Sequence, residues 1–217
     1  MISSLIPLSA SGEYICNQNL NLYARSDGEE LTTQAKEGRH LKICSESVTN
    51  NRLVVCLCED NYAGWLNLND LHYLKPAFNK YKFIPVTRDE IQAMNTPNYY
   101  LWGGRIAPNY DCSGLIQSAF ASIGVWLPRN SYQQEAFTTR ITKEDLKIGD
   151  LVFFGKEKVN HVGLYLGDNK YIHSSGKETG NDGIKINYLK ENIDPISDNY
   201  YKLFWSFGRV MESFNLT

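Results

Sequence analysis

Three residues of this chain have the types and spacing for one kind of chemistry: Cys112, His161 and His173. Cys112 follows the turn-like Pro108-Asn109-Tyr110-Asp111. It opens a stretch whose apolar residues, Leu115, Ile116, Ala119, Phe120 and Ile123, form one helical stripe ending at Gly124. A thiol at a helix start faces unpaired N–H groups and the positive end of the dipole, so the position favours a thiolate. Ser113-Gly114 keep the first turn small enough for a substrate to reach the sulfur. Of the four histidines, His161 and His173 flank one predicted hairpin with its turn at Gly167-Asp168-Asn169. A three-residue loop pairs Leu166 with Lys170 and sets Gly163 against His173. The two histidines are then diagonal neighbours on one face, about 7 Å apart. A two-residue loop would put them on opposite faces. A thiol, an imidazole base and a second imidazole fixing the base's tautomer are the parts of a cysteine hydrolase. Gly163 and Gly167 would allow close backbone approach beside them. His40 and His72 read as ordinary structural histidines.

These groups need elements to position them. The 217 residues, 42% hydrophobic and 21% charged, are enough for one large or two small domains. A chain of this size needs neither disulfides nor a metal to fold. A formal net charge of −2 argues against a nucleic-acid binder steered by a basic surface. The first 75 residues or so alternate short apolar runs with turns: Glu13–Cys16, Leu20–Tyr23, Leu41–Cys44, Leu53–Cys58 and Trp65–Leu68. That spacing predicts a small all-β barrel. The acidic excess falls in this part. Lys75-Pro76-Ala77 breaks the pattern, and 77–98 reads as a linker with one short helix capped by Thr87 with Glu90 three residues on. From residue 99 to 217, the helix at Cys112 precedes strands at Asp150–Phe154, His161–Leu166, Tyr171–Ser174, Ile184–Tyr188 and Phe204–Met211, an α+β order. The odd number of cysteines leaves a free thiol. Cys16, Cys44, Cys56 and Cys58 read as reduced small hydrophobes within strands.

The motifs Tyr100-Leu-Trp-Gly-Gly104, Asp111-Cys-Ser-Gly-Leu115, Gly149-Asp-Leu-Val-Phe-Phe154, His161-Val-Gly-Leu-Tyr-Leu-Gly167 and Tyr171-Ile-His-Ser174 resemble the NlpC-type cell-wall cysteine peptidases, which are papain-like. The strands ending in Tyr62-Ala-Gly64-Trp65-Leu66 resemble a bacterial SH3-like domain. The arrangement is most similar to cyanobacterial members that cleave between γ-D-glutamate and diaminopimelate. The resemblance implies an α+β papain-like domain behind the barrel, with Cys112 as nucleophile, His161 as base, His173 as orienting residue and Tyr100 lining the site. It also implies that Asp111 binds the free amine of the substrate's L-alanine and that Tyr62 closes the cleft. Arg129 would bind a substrate carboxylate or pin its loop, and Ser131 is a further cleft candidate. Asp111 would serve equally as the N-cap of the Cys112 helix. Trp102, with Gly103-Gly104, reads as a loop residue packed into the core. The family's helix before Trp102 is shortened here to the stretch up to Asn98.

The expected activity is hydrolysis of the γ-D-glutamyl-diaminopimelate bond in stem peptides with a free L-alanine, without metal or cofactor, by a monomer that binds neither nucleic acid nor membrane. Residues 1–16 carry no Lys or Arg, and their longest apolar run, Leu5–Leu8, contains Pro7. No export signal is read there, which predicts a cytoplasmic role in wall recycling. An exported hydrolase acting on intact wall, an inactive wall-peptide binder and an acyltransferase on the same scaffold are the alternatives.

Overall fold

The computed structural model describes residues 6–82 and 97–214. They fall into two units, one of residues 6–82 with 102–104, the other of 97–101 and 105–214. The helix read at 87–98 lies, up to residue 96, outside the described residues.

The first unit is all-β. Strands β1 (Tyr14–Cys16), β2 (Leu20–Tyr23), β3 (Leu31–Ala35), β4 (His40–Ile43), β5 (Arg52–Leu57), β6 (Ala63–Asn67) and β7 (Leu74–Pro76) form one sheet in the order β3-β2-β6-β5-β4-β1-β7. Alternation decides what is inside: Leu53, Val55 and Leu57 of β5 and Leu41 of β4 are wholly buried, while the residues between them face outward. The polar run Leu31-Thr-Thr-Gln-Ala35 carries little apolar signal, so β3 is a strand that only its pairing to β2 reveals. A short 3-10 turn, Leu68–Tyr73, leads into β7. The cysteines divide differently from expectation. Cys16 is in the core, but Cys44 and Cys56 are joined in a disulfide. The register explains it: Lys42 pairs with Cys56, so Cys44 stands diagonal to Cys56 on the same face, with 6.1 Å between Cα atoms. His40 and His72 are structural, as read: His40 Nδ1 is 3.0 Å from Glu13 Oε2, and the His72 ring lies 3.8 Å from that of Tyr73.

The second unit is α+β. A short ribbon, β8 (Arg105–Ile106) and β9 (Asn109–Tyr110), leads into α1 (Cys112–Ala121). Then come α2 (Ser131–Phe137), β10 (Thr139–Ile141), β11 (Leu151–Gly155), β12 (Val159–Gly167), β13 (Lys170–Ser175), β14 (Gly183–Tyr188), α3 (Pro195–Lys202) and β15 (Phe204–Arg209). The sheet is antiparallel in the order β10-β15-β11-β12-β13-β14. Both faces of β11 are covered. Leu151 and Phe153 join Cys112 and Ile116 of α1 in one cluster, and Val152 and Phe154 join Tyr200 of α3 in another. Trp102 is 60% exposed, contrary to the core placement expected of it; the backbone turns at Gly103 with φ +74° and leaves the indole outside.

The hairpin of β12 and β13 answers the register question. Its body follows the three-residue-loop register, with Leu164 opposite Ile172 and Tyr165 opposite Tyr171. At its tip Gly167 pairs with Lys170, so the turn has two residues, Asp168 and Asn169, both at positive φ. Leu166 is the extra residue of a bulge that reconciles the two. Without that bulge the tight turn would send the histidines to opposite faces. Gly163 completes the arrangement, since a Cβ there would stand 2.7 Å from the Tyr171 ring. Gly163→Ala is therefore expected to lower stability by about 1–3 kcal/mol through overpacking, read by urea unfolding. An unchanged midpoint would show that Tyr171 can yield.

Candidate active site

Cys112 is the first residue of α1, and Asp111 before it is the N-cap, accepting the Gly114 N–H at 2.6 Å. The thiol meets the backbone of Val162, the residue after His161. The Asp111 carboxylate does a second job. Arg129 clasps it with both terminal nitrogens, Nη1 3.1 Å from Oδ1 and Nη2 2.6 Å from Oδ2, and also donates to Ser113 Oγ at 3.0 Å. The pair is internal, with side-chain exposures of 1% for Arg129 and 10% for Asp111. Arg129 is thus spent on fixing the helix start. Breaking such a pair on one side leaves an uncompensated buried charge. Ser131 is buried at the start of α2, which Asn130 and Gln133 close with a reciprocal capping box.

His161 and His173 come together. His161 Nε2 lies 2.6 Å from His173 Nδ1, with the rings at 87°. Beyond them is Asn187 of β14, whose Oδ1 is 2.9 Å from His173 Nε2. The direction of every proton in this row can be worked out from its far end. Asp194 can only accept, and it takes the Ser197 hydroxyl at 2.5 Å. Ser197 Oγ then accepts the Asn187 amide N–H at 3.1 Å. That orients Asn187 Oδ1 toward His173, and Asn181 donates to the same oxygen at 2.7 Å. His173 must carry its proton on Nε2, so its Nδ1 accepts from His161 Nε2–H. The lone pair of neutral His161 is left on Nδ1, the nitrogen for a thiol proton. Tyr200 of α3 walls both rings, 4.6 Å from His161 and 4.9 Å from His173 between centroids.

Burial governs the charges. It pushes the Cys112 thiol up to about 12, with the Asp111 charge adding to it and the backbone of Val162 and Ser113 opposing it. Burial thus works against the thiolate that the helix start favours. Burial also lowers His161 well below its ordinary value, helped by His173, and brings His173 down to about 4. Tyr100 is raised by burial and then by Cys112 and Asp111, which places it electrically beside both. Burial disfavours a lone charge on each of the three groups. Tyr62 belongs to the first unit, where its hydroxyl is 3.1 Å from Thr32 Oγ1.

Three residues escaped the sequence reading. Asn187 faces His173 because β13 and β14 pair His173 with Lys185 and Tyr171 with Asn187. Extending the hairpin register by one more strand would have found it. Asn181 is a loop residue with no pattern to flag it. Tyr200 sits on α3, whose Asp194 cap and Pro195 at the first turn are a legible start signal. Among the described residues, no group of three or more His, Cys, Asp or Glu could hold a metal ion, and no helix is long and apolar enough to cross a membrane.

Comparison with known proteins finds the NlpC/P60 family over residues 97–203 and the bacterial dipeptidyl-peptidase SH3 domain over residues 22–71. The chain is 29% identical over 182 residues to a gamma-D-glutamyl-L-lysine dipeptidyl-peptidase of Bacillus cereus, covering 78% of this chain and 52% of the relative. It is 42% identical over 112 residues to a probable endopeptidase p60 of Listeria monocytogenes, covering 51% and 21%. The chain spans about half the length of these curated relatives or less. A crystal structure of an NlpC/P60 family protein from Bacillus cereus aligns over 94% of this chain and 65% of its own, with 22% identity and a TM-score of 0.49.

Two outcomes are expected of this geometry. Both histidines bind protons less readily folded than unfolded, so the unfolded state holds more protons below 6.5. Their contribution is whole above that pH and is lost as pH falls toward 4, on the order of 3 kcal/mol for His173. Denaturant unfolding from pH 7 to 4 should show a slope that His173→Asn makes shallower. Asn187→Leu removes the acceptor that sets the tautomer and should reduce kcat by about 10–100-fold with KM little changed. Asn187→Asp keeps the acceptor but adds charge, and should shift the acid limb of the kcat–pH profile upward. Two variants with identical profiles would reduce Asn187 to packing.

Proposed function

From a chain whose residues 97–203 are an NlpC/P60 domain and whose residues 22–71 are a bacterial dipeptidyl-peptidase SH3 domain, we propose a cysteine peptidase that cuts peptidoglycan stem peptides after γ-D-glutamate. The observation that carries this is the 2.6 Å contact of His161 with His173, completed by Asn187. It leaves His161 Nδ1 as the base for Cys112.

Cys112 Sγ–H gives its proton to His161 Nδ1 as Sγ attacks the γ-carbonyl carbon of D-glutamate. The C–N bond breaks, and His161 returns the proton to the leaving amine of the diamino acid. A thioester remains. Water attacks it, His161 takes the water's proton, and the freed sulfur recovers it. Burial that disfavours either ion alone favours forming the imidazolium and thiolate as a pair.

Asp111 binds the ammonium of a free L-alanine, and Arg129 positions that carboxylate instead of touching substrate. Tyr100 lines the reacting carbonyl, and Ser131 lies at the helix behind the cleft. The substrate is L-Ala-γ-D-Glu joined to diaminopimelate or L-lysine; the curated relative named for L-lysine supports the second as a substrate to try. The role is recycling of wall fragments in the cytoplasm, by a monomer. One observation favours a second location. The Cys44–Cys56 disulfide is of a kind that persists in oxidising compartments outside the cytoplasm. Thiol alkylation of the protein in its host, followed by mass spectrometry, separates the two: free thiols place it inside, a protected pair outside.

Mass spectrometry of products from both tripeptides is expected to show L-Ala-γ-D-Glu released. Cys112→Ala should lower turnover by about 10³-fold or more. N-acetylating the L-alanine should cost about 10–100-fold in kcat/KM, the worth of one charge-assisted hydrogen bond, and Asp111→Asn should narrow that gap. Equal rates on free and blocked peptides would remove Asp111 from amine recognition.

A further inference from the structure

As the base of the reaction proposed above, His161 becomes an imidazolium, and the row behind it brings no anion into contact with that charge. His173 offers a neutral lone pair, and the Asp194 carboxylate stands behind His173, Asn187 and Ser197. The Asp111 carboxylate is matched by Arg129. What faces the imidazole instead is aromatic. On α3, the Tyr200 ring lies 4.6 Å from that of His161 between centroids, with 32° between the planes. Rings so nearly parallel reach that distance with one face offset over the other. Phe154, opposite His161 in the β11–β12 ladder, brings a second ring to 5.8 Å at 49°. Both are within the roughly 6 Å over which a ring face attracts a cation. The two rings brace each other at 5.3 Å, and the Tyr200 hydroxyl is held by the side chains of Thr179 and Ser175. The titratable groups around His161 are Cys112 of α1, at the backbone of the adjoining Val162, His173 of β13 and Tyr200 itself. Glu135 of α2, a helix packed on the same strand, is turned to the Ser206 hydroxyl.

We propose that the ring face of Tyr200, backed by Phe154, stabilises the His161 imidazolium, the task a carboxylate performs in triads with an acidic third member. Tyr200 acts through the base and not on the substrate, so it is a positioning residue. The inference rests on the reading of His161 as the base. A ring attracts a cation through its quadrupole and brings no net charge of its own. It therefore favours the imidazolium without disturbing the bond that neutral His161 makes to His173. The hydroxyl, tied to Thr179 and Ser175, fixes the ring by its far end. Tyr201, the next residue of α3, serves as a control. It faces another side of the helix, where it lines a cavity of about 490 Å³ with Phe204, Trp205 and Phe207.

Ring-fluorinated phenylalanines placed at position 200 of the full chain test this, because each fluorine weakens a ring's pull on a cation and changes its shape little. Two quantities are read: kcat for tripeptide hydrolysis across pH, and the rate of Cys112 alkylation by iodoacetamide, located by mass spectrometry. From Tyr200→Phe through one, two and three fluorines, kcat should fall in steps to about tenfold below the Phe variant, with KM and thermal melting little changed. A less stabilised imidazolium gives up its proton more readily, so the acid limb of the kcat–pH profile should move to lower pH in the same steps. Alkylation should slow in parallel, since it reports the thiolate–imidazolium pair without any substrate. Tyr200→Phe should recover most of what Tyr200→Leu loses, and Tyr201→Leu should leave both readouts as in wild type. If Tyr200→Phe does not fold, the same series at Phe154, whose native ring is already phenylalanine, replaces it and should step the same way. Alkylation rates level across the fluorine series, or a Tyr200→Leu profile lowered in height with its acid limb unmoved, would overturn the proposal. Stepped alkylation with no tripeptide hydrolysis by any form, wild type included, would leave the role of Tyr200 standing and remove the peptidase reading instead.

Discussion

A hydrogen bond between two buried, uncharged imidazoles is the constraint on which the second unit depends. Neither ring can be charged at rest, because burial lowers both. Each must then offer one donor and one acceptor, and a wrong tautomer on either would leave two lone pairs or two protons facing across 2.6 Å. The fold therefore has to specify orientation at several removes. The hairpin bulge sets the face, Gly163 makes room for Tyr171, Tyr200 walls the rings, and Asn187 sets the proton. Asp194 supplies the one fixed charge from which the order of protons follows. Although burial works against it, hydrogen bonds from Ser197, Ile196 and Asn187 hold this carboxyl below the usual carboxylate range.

The sulfur side obeys the same rule with opposite means. There a full ion pair is buried, Asp111 with Arg129, in a two-pronged geometry, and the Gly114 N–H takes a further site on Asp111 Oδ1 while Arg129 takes one of the two on Oδ2. Its net charge is zero, so it orients the start of α1 without driving Cys112 to ionise. Burial disfavours lone charges in both halves of the site, which favours the ions of the reaction arising as a pair. Low dielectric then strengthens their mutual attraction at the moment it matters.

Much of this was legible in the sequence, for physical reasons that differ from residue to residue. Periodicity marked α1 because its buried stripe runs nearly three turns. The strands of both sheets were visible wherever apolar residues alternate. The histidine face followed from counting across a turn, although the turn itself is tighter than read and a bulge at Leu166 repairs the count. Local pattern could not reveal β3, which is polar and held by its neighbour, or the Cys44–Cys56 pair, which needs the β4–β5 register. The burial that opposes a Cys112 thiolate could not be read locally, because a helix start is local while desolvation is a property of the whole packed core. Asn187 was one strand beyond the last register worked out.

Helix α3 ties these levels together. Its eight residues are too few to be helical alone, so its existence depends on the cap at Asp194 and on Tyr200 in the core. The same two residues orient Asn187 and wall the histidines. A helix made stable only by the groups it positions cannot form without positioning them. Its next residue, Tyr201, turns about 100° away and opens onto the cavity beside Trp205. One short element thus bears on the tautomer of the base from one face and on the aromatic-lined cavity from another, and the spacing of consecutive helical residues is what lets it do both.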